Sequence, residues 1–225
     1  MTVSPATGTG TDTRDMVVVH DSIRRQFGRA PSLVRGVAPG DTDRAAVVAD
    51  HLDLLGALLH HHHVGEDRLL WPVLQPRVPA ESAATVARMD GQHEGIAEAQ
   101  ATVSTAVAAW RVGAGEDERE TLATTWEDLL ARITEHLTAE EQHILPLAAA
   151  HMTPAEWQRL GEEGIGGLPR RQLPLVFGMV MYRADAEVIR GMLAHAPLLP
   201  RLLMPRLAPR AYARYARRLH GTTTP

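Results

Sequence analysis

The same cassette occurs twice in this chain. His62-His63-Val64-Gly65-Glu66 is followed by Pro72, and His136-Leu137-Thr138-Ala139-Glu140 is followed by Pro146. Both read His-x-x-x-Glu, with a proline six residues after the glutamate. Each has a lone histidine upstream: His20 lies 42 residues before His62, and His93 lies 43 before His136. Residues i and i+4 share a helix face one turn apart, so each cassette aims an imidazole and a carboxylate the same way. The chain is therefore read as a tandem of two helical hairpins, each offering His and then His-x-x-x-Glu.

The faces that carry these groups are otherwise apolar. His20 shares its stripe with Ile23 and Phe27, and His93 shares its stripe with Val86, Met89 and Ile96. Leu55, Leu58 and Leu69 flank the first cassette; Leu129, Ile133 and Leu147 flank the second. All six polar groups are thus expected inside the core. Without partners they would cost several kcal/mol. A bound metal pair removes that cost, and imidazole and carboxylate from facing helices suit two iron or manganese ions.

Helical periodicity predicts four helices over about 14–36, 42–77, 80–112 and 117–149. Asp41 or Thr42 caps the second, which is expected to be disturbed at Gly65 and Pro72. Short connections make neighbours antiparallel, giving an all-α, up-down-up-down four-helix bundle. Residues 1–15, rich in Thr and Gly, read as a flexible tail, 16–150 as the bundle, and 151–225 as a helical C-terminal extension. In that extension Thr153-Pro154-Ala155-Glu156 opens a helix over about 154–163. Further helices are predicted at about 172–182, 185–195 and 209–219, with Pro197, Pro200, Pro205 and Pro209 breaking the stretch between the last two.

Composition excludes several chemistries. The absence of cysteine removes disulfides, zinc ribbons, iron–sulfur ligation and thiol nucleophiles together. All 23 basic residues are Arg, so Schiff-base lysines and a Walker-type lysine are also absent. Aromatics at 4% argue against base stacking on exposed rings, and no nucleic-acid partner is expected. No apolar run suits a transmembrane helix or a signal peptide, so a cytoplasmic location is the default expectation.

These residues carry a family resemblance. His20-Asp21, His62-x-x-x-Glu66 through Trp71-Pro72, His93-Glu94, and His136-x-x-x-Glu140 through Pro146 resemble the hemerythrin-like (HHE cation-binding) domains over about residues 16–150. The resemblance implies a bundle around a non-haem di-iron centre (Fe2+/Fe3+) bridged by oxo or hydroxo groups and by carboxylates, with manganese or zinc as alternative metals. It implies His20, His62, His93 and His136 as terminal ligands and Glu66 and Glu140 as bridging carboxylates. The extension resembles those on actinobacterial members, through Trp157-x-x-Leu160-Gly161-Glu162, Leu173-Pro174-Leu175-Val176-x-Gly178-Met179 and Arg210-Ala211-Tyr212-Ala213-x-Tyr215.

The chain departs from the oxygen-carrying members in two places. Where those have a second histidine one turn after the third-helix histidine, this chain has Ala97. Where they have Asp five residues after the last histidine, this chain has Glu140 at four and Glu141 at five. The internal repeat favours Glu140, with Glu141 as the fallback. The missing histidine leaves one metal an open position, or leaves water, Glu94 or Glu98 to supply oxygen.

Other histidines have blander readings. Four consecutive histidines point four ways, so His60, His61 and His63 are expected to be solvated or to support the ligands from behind. His51 and His143 either support ligands, line an access path or sit at the core edge. Trp71, Trp110 and Trp126 are expected to be packing residues. From Val188 onward there are seven Arg and no acid. That segment wraps the bundle with Leu and Met inward, or meets an anionic membrane surface or an acidic protein.

Three functions are weighed: a di-iron protein that binds or turns over peroxide, oxygen or nitric oxide; an oxygen, nitric oxide or iron sensor without turnover; and a structural metal bundle.

Overall fold

Asp41 accepts a hydrogen bond from the Arg44 N–H (3.0 Å) and so starts the second long helix, the N-cap role a short carboxylate suits. In the computed structural model, which describes residues 10–225, four long helices form the bundle: α1 (Arg14–Arg35), α2 (Thr42–Leu69), α4 (Ala80–Gly113) and α5 (Glu116–His143). Between and after them lie α3 (Trp71–Leu74) and α6 (Leu145–His151). Each long helix packs on two others, in the ring order α1, α2, α4, α5. Gly40 N–H bonds to Ala114 O (3.0 Å), placing the α1–α2 and α4–α5 turns at one end. Thr11, just before α1, bonds to Ala149 and Met152 of the other end. The path is therefore up, down, up, down.

Both cassettes end in the same break. Pro72 and Pro146 have no N–H to continue the ladder, and their rings crowd the preceding turn. The second and fourth helices accordingly stop at Leu70 and Ile144 and restart at once as α3 and α6, which touch each other across the bundle end. The break after α2 matches the expectation at Pro72. Gly65 causes none and lies inside the helix. The fourth helix, expected unbroken to 149, is divided by Pro146.

The flexible tail expected over 1–15 meets the described residues only from Gly10 onward. Residues 1–9 lie outside the described residues. Thr11 is buried, with its hydroxyl donating to Met152 O (2.6 Å), so the stretch before α1 is tied to the bundle.

The extension is helical: α7 (Pro154–Gly166), α8 (Leu173–Met181), α9 (Ala186–Ala194) and α10 (Leu198–His220). The last corrects the expected break. Pro200 sits in the first turn, where no N–H is needed. Pro205 and Pro209 lie one turn apart on the solvent side, where water satisfies the carbonyls they leave free. α7 packs on α2, while α8 and α9 pack on α1. Tyr182 and Tyr212 join Leu54 and Leu58 of α2 in one apolar cluster. Gly178 lets α8 and α10 approach closely: a Cβ there would collide with Ala208 O and stand 2.8 Å from Tyr212 Cβ.

Two apolar layers divide the bundle. One contains Phe27, Leu52, Trp110, Trp126 and Leu129. The other, at the α3–α6 end, contains Trp71, Leu74, Met89, Ile144 and Trp157. The polar cassettes lie between them.

Candidate metal centre

The ring order of the helices decides what each histidine meets. α2 lies between α1 and α4, and its successive residues turn by about 100°. His62 therefore leans toward α1, with ring centroids 5.2 Å from His20. His63 leans toward α4 and α5, stacked on His93 at 4.2 Å and edge-on to His136 at 5.2 Å. Two sets of converging donor atoms result: His20, His62, Glu66 and Glu140, and His63, Glu66, His93 and His136.

Glu66 belongs to both. Its Oε1 lies 3.3 Å from His62 Nε2, and its Oε2 lies 3.4 Å from His93 Nε2. Glu140 Oε2 lies 3.4 Å from His20 Nε2 and 3.7 Å from His136 Nε2. Each carboxylate thus spans the two sides. Glu66, Glu140, His20 and His136 are wholly buried.

Groups behind the rings fix their orientation. His20 Nδ1 donates to Glu141 Oε1 (2.9 Å), which Arg24 also holds at 2.7 Å. His93 Nδ1 donates to Asp67 Oδ1 (2.6 Å), which also accepts from Trp71 Nε1 (3.0 Å). His136 Nδ1 donates to Gln92 Oε1 (3.2 Å). With Nδ1 donating, the Nε2 lone pair of each ring faces inward. His93 Nε2 and His136 Nε2 then stand 3.1 Å apart as two acceptors, a repulsive contact that a cation would relieve.

The electrostatics agree. Burial first, and neighbouring imidazoles second, push His62 and His63 well below the ordinary histidine range. The same causes bring His136 down to about 3. Burial, then the charge of Asp67, pushes Glu66 well above the carboxylate range; burial and the Glu66 charge push Glu140 up to about 8. Burial also opposes ionisation of Glu141, but hydrogen bonds from His20 and Arg24 outweigh it and hold Glu141 down to about 2. Within this cluster seven buried atoms have no hydrogen-bond partner: Nε2 of His20, His62 and His63, and both oxygens of Glu66 and of Glu140. Unpaired buried acceptors of this kind are costly, and these seven are concentrated in one site. The donor set and its unpaired atoms fit metal ions.

A family model described as the Hemerythrin HHE cation binding domain matches residues 11–148, more than half of the chain. The chain belongs to this family. No curated protein and no solved structure matches it. Metal binding is thus the property that family and site share, and α7–α10 are a helical extension to the hemerythrin domain.

Of the residues expected from the sequence, His20, His62, Glu66, His93, His136 and Glu140 are brought together. Glu141 stands behind His20 rather than among the inward-facing atoms. His63, expected behind the ligands, is a converging donor itself. Glu94, Glu98 and Ala97 are exposed on the outer side of α4, so neither glutamate can supply an oxygen to the site. His143 is likewise exposed. His51 is buried three turns from His62, with its Nδ1 3.0 Å from Tyr215 Oη of the extension. His60 is exposed and His61 half-buried. Sequence reasoning missed Asp67 and Gln92. Asp67 adjoins the cassette glutamate just as Glu141 adjoins Glu140, and that repeated acid was a usable signal.

Proposed function

We propose that the protein holds two iron ions and binds or turns over a small oxidant, with catalase- or peroxidase-like consumption of peroxide as the most concrete form. The observation that carries this reading is the set of five imidazoles and two carboxylates facing one another with seven unpaired atoms. Each cluster offers four protein donors, fewer than an octahedral ion takes, which leaves room for a small ligand. Iron held there supplies a redox couple and a Lewis-acid position for peroxide, oxygen or nitric oxide.

The chain's own residues do the remaining work. Glu66 offers one oxygen to each cluster and would be shared by both ions. Asp67, Gln92 and Glu141 hold the imidazoles in the tautomer that presents Nε2 inward. The two apolar layers keep bulk water from the site. Glu140 carries a proton at neutral pH when no ion is present and gives it up when its oxygens bind one.

One contact favours a second reading, a sensor that binds without turnover. α7 lies against α2 beside Glu66: a Cβ on Gly65 would meet Leu160 Cδ1 at 3.7 Å and Gly164 N at 3.8 Å. A shift of Glu66 could thus pass into the extension.

The deciding experiment uses protein purified without nickel resin, because His60–His63 would trap the metal. Iron per chain is quantified, and peroxide is added anaerobically while the visible spectrum and oxygen release are recorded. Two irons per chain with rapid oxygen release or peroxide-dependent oxidation support the enzyme. Two irons with a stable adduct and no turnover support the sensor. Zinc alone, supporting the fold as well as iron does, overturns both readings and leaves a structural metal bundle.

A further inference from the structure

The packed side of α10 is defined by Ala208, Tyr212, Ala216 and Leu219, all buried. At about 100° per residue, Leu199, Leu203, Leu207, Arg210, Arg214 and Arg217 form one stripe on the opposite side. All six are exposed. Leu202 borders its first half, Leu198 projects from the start of the helix on another side, and these five leucines are 47–70% exposed. A single surface leucine needs no explanation, but several on adjacent turns form a patch that does. Across residues 198–207 only Met204 turns toward the protein, in the cluster shared with α8 and α9. The second half of the stripe is a shallow groove lined by Leu207, Arg210, Arg214, Arg217 and Thr223.

Charge narrows the occupant. Residues 188–225 carry seven Arg and no acid, in a chain whose net charge is −4. A second copy laid on this face would bring arginine against arginine or against leucine. An acidic protein would need its own apolar patch in register with the leucines. An anionic bilayer offers both chemistries at once, phosphates at the surface and hydrocarbon just beneath. No helix among the described residues is long and apolar enough to cross a membrane, so the contact is peripheral.

We propose that the outward stripe of α10 docks on an anionic lipid surface, with Leu199, Leu203 and Leu207 entering the acyl boundary, Leu202 at its edge, and Arg210, Arg214 and Arg217 on headgroup phosphates. The leucines give the contact depth, and the arginines select anionic lipid. Neither depends on which metal the bundle holds.

The test is flotation of the full chain with vesicles of phosphatidylcholine, with and without about one third phosphatidylglycerol. Binding to the anionic vesicles alone, weakened by added salt, is the expected result. Each arginine near the surface is worth about a factor of five in partitioning, so Arg210→Gln/Arg214→Gln/Arg217→Gln should bind about 100-fold more weakly. Leu199→Ser/Leu203→Ser/Leu207→Ser should abolish flotation with an unchanged thermal melt, since these side chains are exposed. Absence of flotation, equal binding to neutral vesicles, or full binding by either variant overturns the proposal. So does a concentration-dependent dimer that the leucine variant dissociates in the absence of vesicle binding, which would assign the stripe to a second copy.

Discussion

His63 stacks on His93 with ring planes 16° apart and centroids 4.2 Å apart. This pair brings a fifth imidazole to the site from α2, not from α4. His63→Leu should therefore weaken metal binding at the cluster it shares with His93 and His136 by about 10–100-fold or more and spare the cluster of His20 and His62. Metal per chain after dialysis, with calorimetric titration, measures this. Ala97→His should leave metal content and the visible spectrum unchanged, because Ala97 faces solvent.

The ring-orienting acids give a second prediction. Asp67→Asn removes the charge behind His93 and should lower metal affinity by about 10–100-fold with little change in fold. Glu141→Gln should do the same through His20. Competition against a chelator of known affinity checks both, and helical circular dichroism confirms that the bundle persists.

Ion binding should release protons. Glu140 without a metal is protonated at pH 7, since its pKa is pushed up to about 8. Loading at pH 7 displaces that proton, so affinity rises with pH until about 8. Titration calorimetry in buffers of different ionisation enthalpy reads the number released.

Stability of the metal-free protein should peak near pH 6.5. The fold favours neutral Glu140, so its contribution is full below 4.5 and is lost as pH rises toward about 8. The fold also favours neutral His136, so that contribution is full above 6.5 and is lost as pH falls toward about 3. His62 and His63 act in the same direction as His136, and Glu66 in the same direction as Glu140. These three histidines, joined by His51 and His220, which burial also lowers, outweigh the two glutamates and the raised Asp15 over most of the range from 4.5 to 6.5, so stability climbs there. Urea unfolding at a series of pH values tests the profile, and metal should flatten its alkaline limb.

Gly178→Ala tests the seam between α8 and α10. The new methyl meets Ala208 O and Tyr212 Cβ, neither of which is a flexible chain end. Overpacking of this kind costs about 1–3 kcal/mol. Thermal melting should fall by several degrees while metal content is retained, because the seam lies on the outer side of α1 and α2.

Much of this was legible in the sequence because it was written twice. The two cassettes mark their helices, their inward faces and the prolines that end them. Helix α10 was misread because Pro205 and Pro209 are breakers only where their missing hydrogen bonds cannot be replaced. Whether they face water depends on packing against α8, which no local pattern encodes. The role of His63 was hidden for a similar reason. Adjacent residues point about 100° apart, so admitting both His62 and His63 requires α2 to have a neighbour on each side. The outward position of Glu94 and Glu98 follows from His93 facing inward, as adjacent residues on a helix diverge.

The repeat is imperfect at one point, and that imperfection gives the centre a direction. Where α2 continues from His62 to His63, α5 continues from His136 to the buried apolar Leu137. One half of the site thus presents three imidazoles and the other two. A duplicated motif would otherwise produce interchangeable halves. Here it produces unlike halves with the same number of donors, one richer in imidazole and the other richer in carboxylate, so a softer and a harder seat for an ion lie side by side.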